Sequence, residues 1–245
     1  EGYLPCPLLR SYILPDLGEI LVSADFHSQE IRMLGHFAEG AIKRIYDSDP
    51  SADIHAVAAD IIHDETGLRL TRKQTKIVAF SILYGVGMSN LADRLGVTYH
   101  EARHIKQAYL NALSGVEEFM DEVESRAASK RPVRSWGGRL LYAPASVIRE
   151  DGRVWDKDYV LLNYLIQGSS ADQTKQAMIE YDRTKRHGRL IATVHDEIVI
   201  SVAPERLDTE VRILCAAMES GEFDIPMRAT VKVGPNWADM RDYQR

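Results

Sequence analysis

Arg72, Lys76, Phe80 and Tyr84 recur at every fourth position of RKQTKIVAFSILYG, residues 72–85. On a helix, residues four apart advance by about 40° per step, so these side chains form one gently drifting stripe. Two cations come first and two rings follow. The cations lie at the N-terminal end, where the helix dipole is also positive and an anion is favoured. Arg supplies a planar fork and Lys a point charge, a pair that matches phosphate oxygens. One turn on, Phe80 offers a face on which a base can stack. A nucleoside triphosphate has that gradient of charge and flatness. An amphipathic helix with an aromatic core stripe and a charged first turn accounts for the same pattern equally well.

Two other stretches carry acids. Asp25 ends the mostly apolar run EILVSADF (19–26), where a carboxylate is costly unless paired or metal-bound. Asp196 and Glu197 stand at the junction of RLIATV (189–194) and EIVISV (197–202), with His195 beside them. If the first run pairs beside that hairpin, Asp25 and Asp196 come close, and two such carboxylates repel unless a cation lies between them. Oxygen ligands suit Mg²⁺, which keeps positions open for water and substrate phosphates. Two such ions about 4 Å apart would stabilise the attacking and leaving oxygens of an in-line phosphoryl transfer. Asp is also a common turn residue, so a purely structural hairpin tip reads the same way.

The elements that must position these residues follow from local signals. EILVSADF reads as a buried strand, and the pattern from Gln29 to about Asp47 is helical. Asp53 is an N-cap before IHAVAADIIHD; Thr71 caps the 72–85 stretch and Gly85 ends it. Helices are expected at about 88–95, with Gly96 as a stop, then at 98–112 and 115–130. RPVRSWGGRLLYAP (131–144) reads as a hairpin around Gly-Gly. Asp156 or Asp158 opens a long helix to about His187. A tight hairpin follows with its tip at His195-Asp196, then a helix at 204–219 and a final strand, MRATVKV (227–233). The chain is therefore α+β, with a helix-rich insertion between its first strand and its last hairpin.

Composition sets the bounds. The chain has 245 residues, 45% hydrophobic and 27% charged, ordinary for a globular protein with a real core. No apolar run approaches the roughly 20 residues of a membrane span, and the N-terminus EGYLPCPLLR lacks the features of a signal peptide. Cys6 and Cys215 have neither zinc nor redox-pair spacing; one disulfide between them is an open alternative, and a reducing, cytoplasmic setting is expected. A net charge of −6 argues mildly against nucleic-acid binding. Its distribution argues the other way. Arg126, Lys130, Arg131, Arg134, Arg139 and Arg149 occur with no acid among them, and RTKRHGR (183–189) forms a second basic cluster.

Taken together, these stretches resemble the three polymerase motifs of family A DNA polymerases, the group of bacterial DNA polymerase I and many phage replicases. SADFHSQEIR (23–32), with Asp25, Glu30 and Arg32, is similar to the first motif. Arg72-x3-Lys76-x3-Phe80-x3-Tyr84-Gly85 is similar to the second, and VHDEIV (194–199) to the third. NYLIQGSSAD (163–172) resembles the segment whose Asn and Gln touch the primer-template minor groove, and DIHAVAAD (53–60) the segment whose His contacts the triphosphate. The resemblance runs from about Ile20 to Trp237, and a phage-type source is expected.

The resemblance implies a polymerase palm (an antiparallel sheet with helices) with a helical fingers insertion: palm 1–37, fingers 38–130, and palm 131–245 with the catalytic hairpin. It implies that Asp25 and Asp196, helped by the Phe26 carbonyl, hold two Mg²⁺ ions, with Glu197 in support. Arg72, Lys76 and His55 would grip the dNTP, and Lys76 would protonate the leaving pyrophosphate. Phe80 would stack near base and sugar. Tyr84 would sit beside the templating base, and Glu30 would fill the space of a ribose 2′-OH. His195, Asn163 and Gln167 would touch primer-template DNA. Three positions depart from the family pattern: Ser28 for a Gln near the ribose, Ser81 for a Gly, and Tyr159 for an Arg.

Only about 24 residues precede the first motif, so thumb and exonuclease domains are expected to be missing and DNA binding weak and distributive. The chain then represents the C-terminal part of a longer polymerase or works with another chain that supplies the rest. Two other readings compete. A single-subunit RNA polymerase shares the helix and the His-Asp turn, but Phe80, Glu197 and Glu30 favour DNA. A non-catalytic primer-template binder is disfavoured by the intact acids and cations.

Overall fold

The computed structural model describes residues 9–148, 150, 152 and 154–244. Cys6 and Arg149 lie outside the described residues. The chain forms two compact units, Glu1–Gln29 with Ser170–Arg245, and Glu30–Ser169.

In the first unit the strand that comes first in the chain lies in the middle of a sheet. Strand β1 (Ile20–Phe26) is flanked by β7 (Glu197–Val202) and β8 (Ala229–Gly234), with β6 (Arg189–Val194) and β9 (Arg241–Tyr243) at the edges. Every pairing is antiparallel. Strand β8 alternates: Ala229, Val231 and Val233 are buried, while Thr230 and Lys232 face water. The buried side of that alternation joins Val22, Ala24 and Phe26 of β1 and Ile198, Ile200 and Val202 of β7. Helix α9 (Leu207–Glu219) closes this core with Val211, Leu214, Cys215 and Met218. Each fully buried aliphatic side chain there contributes roughly 1.5–3 kcal/mol.

Helix α8 (Val160–Thr184) runs from the second unit into the first, where Ala177 and Tyr181 join the same core. It stops three residues short of the expected His187. Glu210 of α9, fully buried, takes the backbone N–H groups of Arg186 (3.0 Å) and His187 (2.8 Å) and the Tyr181 hydroxyl (2.8 Å). Those competing acceptors end the helical ladder. The expected helix at 204–219 begins as a 3₁₀ turn, Pro204–Arg206, before the α-helix proper.

The second unit is mainly helical: α1 (Gln29–Phe37, entered from the first unit), α2 (Ala41–Ser48), α3 (Ile54–Thr66), α4 (Arg72–Leu83), α5 (Met88–Leu95), α6 (Tyr99–Ala112) and α7 (Val116–Ala128). The expected single helix over 29–47 is two. The break lies at Gly40, with φ 141°, where a Cβ would stand 1.9 Å from the Ser114 carbonyl oxygen. Gly115 meets the Glu39 carbonyl in the same way, so the two loops touch backbone to backbone. The Ala41 N–H donates to Ser114 O at 2.9 Å across this contact. Two short hairpins follow, β2–β3 (Val133–Arg134 with Leu140–Leu141) and β4–β5 (Val147–Ile148 with Val154–Trp155). The second hairpin and strand β9 were not expected from the sequence pattern.

Candidate functional site

Each unit carries its own constellation. In the first, Ser28 has φ 56°, a left-handed turn that ends β1 and starts α1. Gln29 is buried and its amide donates to Ser170 O (3.2 Å), Gln173 Oε1 (3.0 Å) and Thr174 Oγ1 (3.2 Å), anchoring that turn to α8. Asp25 is opposite Glu197 in the β1–β7 register, and the Phe26 N–H donates to the Asp196 carbonyl at 3.2 Å. The His-Asp tip is the tight turn expected: His195 takes φ 56° and is exposed, while Asp196 is half-buried. The strand pairing therefore brings the Asp25 and Asp196 carboxyl groups into contact.

That contact has an electrostatic signature. The Asp25 carboxyl is pushed up from 3.8 to about 6 by desolvation, then by the charges of Asp196 and Glu197 and a hydrogen bond with Asp196; Lys232 opposes the shift. The Asp25 side chain still reaches solvent, which limits desolvation, and the charges of Asp196 and Glu197 act on it directly. A raised carboxylate stabilises the fold below its unfolded value, near 3.8, and that contribution is lost as pH rises through about 6. The metal-free chain should therefore lose stability between pH 5 and pH 7.5. Asp25→Asn should flatten this difference and melt a few degrees higher than the parent chain at pH 7.5 in EDTA. Paired melts at both pH values measure this, and an unchanged difference would contradict the Asp25–Asp196 repulsion.

Glu197 is held differently. Its Oε1 accepts hydrogen bonds from Ser23 Oγ and from Trp237 Nε1, the latter at 2.5 Å. Among the described residues no group of three or more His, Cys, Asp or Glu side chains is arranged to hold a metal. The available donors are the Asp25–Asp196 pair and nearby backbone carbonyls. That set fits a hard divalent cation that keeps waters and substrate oxygens in its other positions.

In the second unit, Thr71 and Gln74 form a capping box that starts α4, worth about 1 kcal/mol. Arg72, Lys76, Phe80 and Tyr84 lie along this helix as the spacing predicts. Arg72 is exposed, and its Nε donates to Asp53 Oδ2. Asp53 also caps α3 through the His55 and Ala56 N–H groups; desolvation is the largest single influence on its carboxyl and raises it, but the Arg72 hydrogen bond and charge and the two backbone N–H bonds together hold it below the usual range. An anion reaching Arg72 must compete with Asp53. Lys76 is exposed, its Nζ 5.5 Å from the Phe80 ring centroid. Phe80 and Tyr84 stack at 5.8 Å and 17°. His55 is only 3% exposed and tilts against Phe80 at 6.4 Å. It supports the ring row instead of projecting into solvent.

The Tyr84 hydroxyl is the hub of a small network. It donates to Glu30, with Oε1 at 2.9 Å, and accepts from Gln167 Nε2 at 3.1 Å. Asn163 lies half-buried one helical turn before Gln167. Gly85 has φ 61°, and a Cβ there would stand 2.2 Å from the Tyr159 ring. Tyr159 thus packs on the C-terminus of α4. Ser81 is buried, and its hydroxyl has no hydrogen-bond partner among the described residues, a cost of about 1–3 kcal/mol. Arg32 is fully buried, donating to Pro50 O at 2.8 Å and stacking on Tyr46 with its guanidinium carbon 4.0 Å from the ring centroid.

Sequence reasoning gave Ser23 and Trp237 no role, and it read Asp53 as an N-cap, which it is, without its link to Arg72. Strand alternation could have flagged Ser23, which shares a face of β1 with Asp25. Trp237 lies 40 residues beyond Glu197, and no local signal links the two.

Residues 7–239 match the sequence profile of DNA polymerase family A. DNA polymerase I of Geobacillus stearothermophilus is 30% identical over 247 residues, spanning 95% of this chain and 28% of that protein. DNA polymerase I of Bacillus subtilis (strain 168) is 29% identical over 242 residues, spanning 95% and 27%. The chain thus spans between a quarter and a third of these relatives' length. The fold is similar to a solved structure described as the POL domain of Pol1 from M. smegmatis in complex with DNA primer-template and dNTP. The TM-score is 0.82 and identity 23%, over 95% of this chain and 42% of that one. Among the described residues, no helix is long and apolar enough to cross a membrane.

Proposed function

Because this chain belongs to DNA polymerase family A, we propose that it catalyses template-directed DNA synthesis, adding dNTPs to a primer 3′-OH with release of pyrophosphate. The observation that carries this reading is the Asp25–Asp196 carboxylate pair, joined by the β1–β7 pairing and strained by mutual repulsion. Family A polymerases generally use divalent metal ions. Here two Mg²⁺ would be held by Asp25, Asp196 and the Phe26 carbonyl. Bound there, Mg²⁺ supplies stabilisation of negative charge on the attacking and leaving oxygens.

The remaining roles belong to the chain's own groups. Arg72 and Lys76 bind the triphosphate, and Lys76 delivers a proton to the departing pyrophosphate oxygen. Phe80 stacks against base and sugar, with buried His55 fixing its ring. Glu30 occupies the space of a 2′-OH and is held by Tyr84, which also meets Gln167. Gln167, Asn163 and His195 contact primer-template DNA.

The test is extension of a labelled primer on a defined template with Mg²⁺ and dNTPs. Synthesis should follow the template sequence; no extension at high protein and low salt would overturn the reading. Glu30→Ala should cut the preference for dNTPs over rNTPs by about tenfold or more, corresponding to roughly 1.4 kcal/mol. Unchanged discrimination would remove Glu30 from that role.

A further inference from the structure

Glu197 stands opposite Asp25 in the β1–β7 register, and Trp237 and Ser23 orient its side chain. Glu197 is gripped through a single oxygen, because Oε1 accepts from both Trp237 Nε1 and Ser23 Oγ. Hydrogen bonds to an ionised carboxylate are roughly twice as strong as neutral ones, so two on one oxygen hold the side chain in one orientation.

The loop that brings Trp237 to Glu197 is built tightly. Gly234 admits no Cβ, since one would stand 2.2 Å from the Asp239 carbonyl oxygen. Asn236 Oδ1 accepts from the Ala238 and Asp239 N–H groups, both at 2.8 Å, and Asn236 Nδ2 donates to Asp239 Oδ2 at 2.7 Å. Trp237 itself donates its backbone N–H to Ile13 O at 3.1 Å, and the Arg10 guanidinium carbon lies 4.2 Å from its ring centroid. Backbone, ring face and indole N–H are therefore each occupied, and the N–H is directed at Glu197.

We propose that Trp237 and Ser23 are positioning residues that clamp Glu197 by Oε1, so that this third carboxylate adds its charge beside the Asp25–Asp196 pair from a fixed place without becoming a ligand. This rests on the assignment of Asp25 and Asp196 as the metal-holding pair. Releasing the clamp lets Glu197 turn into solvent, and the field that attracts a cation falls. Groups that orient the surroundings of a metal site often change its affinity by about tenfold or more when removed.

The experiment is Mn²⁺ titration of the full chain without DNA, reading free Mn²⁺ by electron paramagnetic resonance. Trp237→Phe keeps the ring under Arg10 and removes the N–H; it should weaken Mn²⁺ binding by about tenfold. Ser23→Ala should weaken it similarly, and Ser23→Thr, which keeps a hydroxyl, should restore it. In a Glu197→Ala background, Trp237→Phe should have no further effect, which separates positioning from a general loss of fold. Equal Mn²⁺ affinity in parent and Trp237→Phe chains, or the same loss in the Glu197→Ala background, would overturn the clamp alone. Absence of Mn²⁺ binding by the parent chain would overturn the metal pair, and the clamp with it.

Discussion

Asp196→Asn is expected to reduce primer extension by roughly 10³-fold or more, an effect on the order of 4 kcal/mol. Asn is as good a turn residue as Asp, and its backbone carbonyl still accepts the Phe26 N–H, so the hairpin tip should persist. What disappears is one of two carboxylates that together create the demand for a cation. The same change removes a repulsion felt by Asp25. The metal-free variant should therefore melt no lower than the parent at pH 7.5 while being almost inactive. Single-turnover extension and melts in EDTA measure the two halves. Activity within tenfold of the parent would remove Asp196 from the metal site.

Lys76→Gln is expected to lower kcat by about 10²-fold, within the range for a lost general acid, and to raise the dNTP KM as well. Lys76 differs from Arg72 in its setting. Arg72 is engaged by Asp53, whereas the Lys76 ammonium rests over the Phe80 face in solvent. Lys76→Arg separates charge from proton transfer, because guanidinium keeps its proton in proteins. It should restore much of the KM and little of the kcat. Full recovery of kcat in Lys76→Arg would leave Lys76 as a phosphate binder with no acid role.

The acids and cations were legible in the sequence because each sits at a place with a strong local signal. Asp25 stands at the end of a mostly apolar run, Asp196 occupies a two-residue gap between β-rich runs, and Arg72 directly follows the Thr71 N-cap. The helix break at Gly40 was not legible, because it is made by the Ser114–Gly115 loop some 75 residues away. Strand β9 escaped for the opposite reason: Arg-Asp-Tyr is a polar edge that pairs with β8 without the usual apolar alternation. The β4–β5 hairpin had a usable cue, the Asp-Gly dipeptide at 151–152, that the apolar pattern overshadowed. The Glu197 clamp and the Asp53–Arg72 pair depend on which strands and helices become neighbours, which periodicity does not encode.

The place of β1 in the sheet also has a consequence for how the protein is made. Within its sheet this strand is synthesised before the others, and both its hydrogen-bonding partners lie at residue 197 or later. About 170 residues separate Phe26 from Glu197, so at 5–20 residues per second the ribosome leaves β1 unpaired for roughly 10–30 s. The segment emerging meanwhile, Glu30–Ser169, is contiguous and mostly helical, and short-range helical contacts form fastest. During synthesis the largely apolar strand Ile20–Phe26 waits for both its sheet partners, while the helical unit has all of its residues available before the five-stranded sheet can close.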